Sequence, residues 1–314
     1  MTMQRRFIPL VALVLCAIFA APAQANFKVG IADQDARMFA NPSYQKLNIK
    51  RIRYLVPFDW YKRRYQVVEV TDFMNHARSA GAEVLVHFTA RRGCYKNGRY
   101  LRKKKCRAPS VKTYRKGFKR FRKTFPEAEV FGVWNEANHV SQPTARKPRR
   151  AAKYFLAARK SCRSCTFVAA DVLDSSNMGR WLRKFRRASK GKARIYGLHN
   201  YSDVNRRRAT GTRRLLRIVG GQVWLTETGG ILKFLPTFKR NQRRQAKRTK
   251  YMFKLADKYD RRRSGMRSRI TRLYNYQWTG VKRSARFDAG LVNANGSPRK
   301  AYRQFKRSAR KYDR

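Results

Sequence analysis

The sequence predicts an α/β fold, a single-domain (β/α)8 barrel of the TIM type, on three observations. Eight short apolar runs recur along the chain. Amphipathic, strongly basic segments with helical spacing lie between most of them. Most runs are continuously apolar rather than alternating, the pattern of parallel strands covered on both faces. No G-x-G-x-x-G follows an early run, which argues against an open dinucleotide-binding sheet, and no linker is long enough to separate two domains.

The elements follow in order. Residues 1–25 read as a secretory signal peptide, with Arg5 and Arg6 as a basic start, an apolar stretch over 8–20 and the small-residue pattern Ala23-Gln24-Ala25. The mature barrel then spans 26–314, from Asn26, and is expected to be secreted, extracellular or wall-associated. The stretch at 8–20 is too short to span a bilayer, so stable membrane insertion is not expected. The expected strands are 27–32, 51–56, 83–88, 128–134, 166–172, 194–201, 222–226 and 272–278. The expected helices include 67–79, 111–124, 148–160, 178–188, 212–219 and 240–259, with a weak segment at 35–45 and a further basic helix at 260–269. Gly81 stands where a helix should stop before its next strand.

The formal net charge is +60, from 77 basic and 17 acidic residues. Such a balance attracts polyanions in general. Lys and Arg are spread through nearly every segment instead of forming a stripe, so specific nucleic-acid recognition is not expected. Outside the leader the cysteines are Cys94, Cys106, Cys162 and Cys165. An even count in an exported chain favours disulfides. Three pairings are open, and the local one, 94–106 with 162–165, is the most economical. The C-R-S-C of 162–165 also matches a redox motif or half of a zinc motif, but it precedes an apolar strand and no second metal pair stands at matching spacing. The four histidines form no H-x-H or H-E-x-x-H set, so neither a metal nor a cofactor is expected.

Barrel chemistry sits at the C-terminal ends of the strands. Read there in order, the chain presents Asp33, Arg53, His87, Asn135 with Glu136, Asp171, His199 with Tyr201, Glu227 and Trp278. Two of the six glutamates stand out: Glu136 in V-W-N-E-A-N and Glu227 in V-W-L-T-E-T-G-G, 91 residues apart, each closing an apolar run.

These residues resemble a known pattern. The chain is similar to clan A glycoside hydrolases, the cellulase-like and β-xylosidase-like barrels with Asn-Glu ending strand 4 and Glu ending strand 7. Trp134-Asn135-Glu136 resembles their W-N-E, and Thr226-Glu227 with Gly229 resembles their nucleophile strand. The tail from Phe287 to Val292, with Gly296 and Ala301-Tyr302, resembles their "GLV…G…AY" ending, so the likeness covers nearly the whole mature chain. It implies a retaining double displacement on the β-glycosidic bonds of an oligo- or polysaccharide. Glu136 would be acid/base, Glu227 nucleophile and Asn135 the partner of the sugar 2-hydroxyl. It extends to His199, Tyr201, Trp278 and Arg53. Most members of that clan follow the strand 4 glutamate with Pro, where this chain has Ala137, a departure that weakens the resemblance and not the chemistry.

The roles have physical content of their own. Double displacement needs one ionised and one protonated carboxyl about 5 Å apart. Arg53 is expected to hold Glu227 charged, Tyr201 to donate to it, and Trp134 and Trp278 to offer flat faces to sugar rings. Each residue also has a plain structural reading: Glu136 as a carboxylate at a helix N-terminus, Glu227 and Arg53 as ion-pair partners, His199 and Trp278 as core. The basic loops 91–105, 146–150 and 206–214 border the expected site and would favour an acidic glycan, yet the segments 240–259 and 260–269 are as basic. A monomer is expected. The competing reading is an exported, cationic carbohydrate- or polyanion-binding protein on an inactive barrel.

Overall fold

The computed structural model describes residues 27–96, 99–101 and 103–312; the leader expected over 1–25 lies outside them. Eight parallel strands close into a barrel in chain order. They are β1 (Lys28–Ala32), β2 (Arg51–Pro57), β3 (Glu83–Thr89), β4 (Val130–Gly132), β5 (Thr166–Leu173), β6 (Ile195–His199), β7 (Gly221–Thr228) and β8 (Ser268–Tyr276). Helices α1 (Arg64–Ser79), α2 (Val111–Thr124), α3 (Pro148–Ser161) and α4 (Met178–Ala188) lie between successive strands from β2 to β6. The β6–β7 crossover carries α5 (Tyr201–Arg206) and α6 (Thr210–Ile218), the β7–β8 crossover α7 (Gln242–Lys258), and α8 (Lys300–Tyr312) follows β8. This is the (β/α)8 barrel that the periodicity predicts.

Local chemistry sets these elements. Ser110 caps α2 by accepting from the Thr113 amide at 3.0 Å, and Tyr114, Gly117, Phe118 and Phe121 recur at three- and four-residue spacing on its buried side. Asn241 caps α7 in the same way through the Arg244 amide at 2.8 Å. The helix after β1 is reduced to a 3-10 turn (Ala36–Ala40) and one α turn (Pro42–Gln45), as the weak pattern there implies. Residues 260–269 are not the helix expected: Gly265 has φ +71°, a left-handed turn breaks the segment, and β8 begins at Ser268. Helix α8 is absent from the expected elements, because its basic run masks the apolar side formed by Ala301, Tyr302, Phe305 and Ala309. No described helix is long and apolar enough to cross a membrane.

The cysteines form the local bridges, Cys94–Cys106 in the β3–α2 connection and Cys162–Cys165 between α3 and β5. Inside the barrel two layers differ sharply. The N-terminal half is filled by Leu85, Val130, Val168, Trp224 and Tyr274. The C-terminal half holds Arg53, His87, Asp171, His199 and Thr226, all at 0% exposure, so a charged network stands where an apolar layer would otherwise be.

Candidate active site

Strand termini bring Glu136 and Glu227 to one end of the barrel. A carboxylate oxygen of each and a ring nitrogen of His199 all lie within 4.8 Å of one another. Glu227 pairs in register with His199 on the neighbouring strand, so one step of sheet spacing places imidazole beside carboxylate. Glu136 lies just past β4, with φ 45°, a left-handed conformation that costs a non-glycine residue on the order of 1 kcal/mol. That turn aims its side chain back over the barrel mouth, where it is 20% exposed against 9% for Glu227. The Ala137 amide donates to the Asp171 carbonyl at 2.8 Å, a bond that Pro at this position would lack.

Arg53 is the organising cation. Its guanidinium donates to Glu227 Oε1 at 2.8 Å, to Asn135 Oδ1 at 2.6 Å and to His87 Nδ1 at 3.0 Å, with Asp171 Oδ2 at 3.4 Å. Burial works against its charge, but Glu227 and Asp171 more than offset this and hold the group protonated above its ordinary range. His199 Nε2 lies 2.8 Å from Asp171 Oδ2, while Nδ1 faces Glu136 Oε1 at 3.2 Å and Glu227 Oε2 at 3.3 Å. Burial opposes its charge too, yet Asp171, Glu227 and Glu136 raise it to about 10, so it is an imidazolium donating from both nitrogens. Glu136 feels burial upward, but the His199 hydrogen bond and charge overcome it and set it below the usual carboxylate range. His87 is pushed down to about 3, first by burial and then by the charges of Arg53 and His199, against the pull of Asp171. It is therefore neutral and accepts from Arg53.

Asp171, which the sequence presents only as a structural or rim residue, is the hub beneath both glutamates. Thr226 Oγ1 donates to its Oδ1, and Arg53, His87 and His199 surround its Oδ2. Burial raises its carboxyl, but His199, His87 and Arg53 take it well below the usual range. Glu136, His199 and Glu227 have the spacing of a cation site, where a metal would have to displace the proton on His199 Nδ1.

Tyr201, opening α5, places its hydroxyl 3.4 Å from Glu227 Oε2. The two tryptophans do not join the site. Trp134 is 1% exposed and packs outside the barrel between Phe58 and Tyr154, with ring centroids 5.9 and 5.3 Å away. Trp278, also 1% exposed, meets Tyr44 and Tyr302 edge-on. Buried to this extent, neither ring is open to a sugar. The half-buried aromatics above the site are instead Tyr201, Tyr276, Phe234 and Phe287. Phe287 lies within 5.7–6.5 Å of the other three rings. It is carried with Phe234 on a small two-stranded antiparallel sheet (Lys233–Phe234 with Phe287–Asp288), which the Asp288–Arg299 bidentate pair anchors, both contacts at 2.8 Å. Asp33 is occupied elsewhere, accepting from the Thr279 and Gln34 amides at 2.6 Å each and so tying the ends of β1 and β8 together.

The network leaves no room for a methyl group at two glycines. A Cβ on Gly132 would lie 2.0 Å from the His87 ring, and one on Gly197 would lie 1.9 Å from Asp171 Oδ1. Gly197→Ala is expected to cost about 1–3 kcal/mol by overpacking and to lower kcat at least about tenfold by displacing Asp171 and, through it, His199. Gly220→Ala, where the added carbon meets nothing within 4 Å, is the control and should stay within about 0.5 kcal/mol with normal kcat. Melting and turnover measured side by side decide this; equal behaviour of the two variants would remove the packing argument.

Comparison with known proteins gives the family and the fold. Residues 110–305, which contain both glutamates, match the glycosyl hydrolase catalytic core family. In fold the chain is similar to GH5_18 from Streptomyces cattleya in complex with GlcNAc, at 13% identity and TM-score 0.63, over 92% of this chain and 81% of that one. It is likewise similar to a psychrophilic family 10 endo-β-1,4-xylanase, at 13% identity and TM-score 0.61, over 90% and 96%. A third is a variant of GH5_18 from Bifidobacterium longum subsp. longum in complex with Manb1-4GlcNAc, at 13% identity and TM-score 0.60, over 91% and 78%. No curated protein matches it in sequence. The chain belongs to the glycosyl hydrolase catalytic core family.

Proposed function

We propose that the protein is an exported retaining β-glycosidase. The observation that carries the reading is that one oxygen of each carboxylate lies within 4.8 Å of the other, too close for a water between them. Retaining enzymes hold theirs about 5–5.5 Å apart, whereas inversion needs roughly 6.5–9.5 Å to admit a water. In the first step a Glu227 oxygen bonds to the anomeric carbon as the glycosidic C–O bond breaks and the Glu136 proton passes to the leaving oxygen. In the second, Glu136 takes a proton from water, the water oxygen bonds to the same carbon, and the ester to Glu227 breaks.

The surrounding charges suit this cycle. With its three carboxylates ionised, the cluster of Asp171, Glu136 and Glu227 exceeds the cations Arg53 and His199 by one negative charge, so a single proton neutralises it. Glu136 is the carboxylate most open to solvent, and a sugar seated over it would strip away its water and raise its proton affinity. Glu227 cannot turn away, because Arg53 and Tyr201 engage its two oxygens. Asn135 is held by Arg53 beside Glu136, placed for a hydroxyl next to the anomeric carbon. Tyr276 and Phe287 offer the apolar faces on which a ring would stack. The fold neighbours named above were solved with GlcNAc or Manb1-4GlcNAc or act as a β-1,4-xylanase, which favours a β-linked oligo- or polysaccharide here. Two disulfides favour an oxidising compartment and hence export.

The test is the anomer released first. Proton NMR during hydrolysis of aryl β-glycosides should show the β-product before mutarotation. An α-product released first excludes double displacement, and hydrolysis undiminished in Glu227→Ala excludes the assigned nucleophile.

A further inference from the structure

On the barrel face opposite the glutamates, where β6, β7 and β8 begin, six arginines line one concavity of about 870 Å³: Arg183, Arg186, Arg187, Arg194, Arg262 and Arg267. Among the described residues, no Asp or Glu lines it. Its floor is small, made by Gly191, Ala193, Gly220 and Gly221, so the guanidinium groups form the walls. Five of the six arginines are exposed, while Arg186 is half-buried and donates to the Ile218 carbonyl at 2.6 Å. Like charges gathered this way repel one another unless counter-charges enter between them.

We propose that this concavity is a second, non-catalytic site that holds a segment of an acidic polysaccharide. Its volume lies within the ~300–1,000 Å³ of small-molecule sites, large enough for more than one sugar residue. Guanidinium groups pair with carboxylate or sulfate oxygens through two parallel hydrogen bonds, which fits a chain bearing such groups at intervals. The charge also continues past the cavity. On α4, Arg183 is followed directly by Lys184, which lines a second acid-free concavity of about 540 Å³ with Arg146, Arg149, Arg150 and Lys153. A polymer thus finds cations on both sides of one helix, where a single small anion would use only one. Nucleic acid fits less well, since single strands are held by bases stacked on exposed aromatics and the one aromatic here, Tyr196, is 3% exposed. A bilayer fits less well too, since no apolar side chain projects from the described rim.

The site lies at the opposite end of the barrel from the catalytic cleft, so its test is independent of the glycosidase reading. Binding of fluorescent oligogalacturonide (carboxylate) and of a heparin fragment (sulfate) is measured by anisotropy at about 0.15 M salt. In Arg183→Gln/Arg187→Gln/Arg194→Gln the affinity for the better probe should fall at least about tenfold, and the salt dependence should flatten by up to about one per lost contact. The control, Lys247→Gln/Lys250→Gln/Lys254→Gln, removes three exposed charges from α7 and should change affinity less than about twofold. Glu227→Gln should bind normally, which separates this site from the cleft. A readout that needs no variant is protection of Arg183, Arg187 and Arg194 from phenylglyoxal by the same probes. Equal losses in the two triple variants, no binding of either glycan, lack of protection, or tighter competition by a single-stranded oligonucleotide would each overturn the proposal.

Discussion

Glu227→Gln is expected to lower kcat for an aryl β-glycoside by about 10⁴–10⁶, which corresponds to roughly 5–8 kcal/mol of lost transition-state stabilisation. The amide keeps the shape and still accepts from Arg53, but it cannot bond to the anomeric carbon. It also removes one of the negative charges that balance Arg53 and His199, so folding stability should fall by about 1.5–3 kcal/mol, the value of a charge-assisted bond. Glu136→Ala should behave differently. Its loss is about 10²–10⁴, the usual worth of a general acid, and it should shrink for substrates whose leaving group needs no proton. Azide, entering the space vacated by the side chain, should restore turnover in Glu136→Ala and yield a β-glycosyl azide. Steady-state kinetics across leaving groups of different pKa separates the roles; if both variants show the same leaving-group dependence, the assignment of acid/base and nucleophile is wrong.

Most of this arrangement is legible in the sequence because a barrel turns linear order into angular order. The eight apolar runs correspond to the eight strands, and the α2 and α4 boundaries follow directly from apolar spacing. Strand ends named Arg53, Asn135, Glu136, His199, Tyr201 and Glu227, and all of these meet at one rim. What stayed hidden depends on side-chain direction and on contacts distant in sequence. Trp134 adjoins Asn135, and adjacent strand residues point to opposite faces, so an inward Asn135 sends Trp134 outward. Asp171 reads as a rim or structural residue, although an acid within the apolar run T-F-V-A-A-D-V-L needs buried partners. Its partners come from β2, β3, β6 and β7, a combination that no local motif encodes. The aromatic wall is hidden for the same reason, because Phe234 and Phe287, 53 residues apart in sequence, meet only through a short antiparallel strand pair.

The second large effect concerns the buried charges themselves. Arg53→Met leaves Asp171 and Glu227 facing each other's field without their shared cation, and breaking such a buried pair typically costs about 3–5 kcal/mol. At about 2–4 °C per kcal/mol for a domain of this size class, the melting temperature should drop by roughly 6–20 °C. The double variant Arg53→Met/Asp171→Asn should lose less than the sum of its parts, because the second change removes the charge that the first left stranded. The same network predicts how stability varies with pH, and its two histidines act in opposite directions. His199 is raised to about 10, so the stability it contributes is fully present below its unfolded value of about 6.5 and is lost as pH rises through 10. His87 is pushed down to about 3, so from about pH 6.5 downward the unfolded chain binds a proton that the folded chain refuses until pH 3. Asp171, held well below the usual carboxylate range, contributes stability above that range and loses it only in stronger acid. Together the histidines place maximal stability near neutrality, with losses of a few kcal/mol on either side. Below about pH 6 the buried Asp33 and the half-buried Asp174, both raised to about 6, oppose the His87 loss. In urea unfolding across about pH 4–10 the alkaline limb should therefore flatten in His199→Gln, and His87→Gln should gain stability relative to the wild type as pH falls below about 6.5. An alkaline limb unchanged in His199→Gln would mean that the imidazole between the two glutamates is neutral, and the charge balance proposed for Glu136 would fail with it.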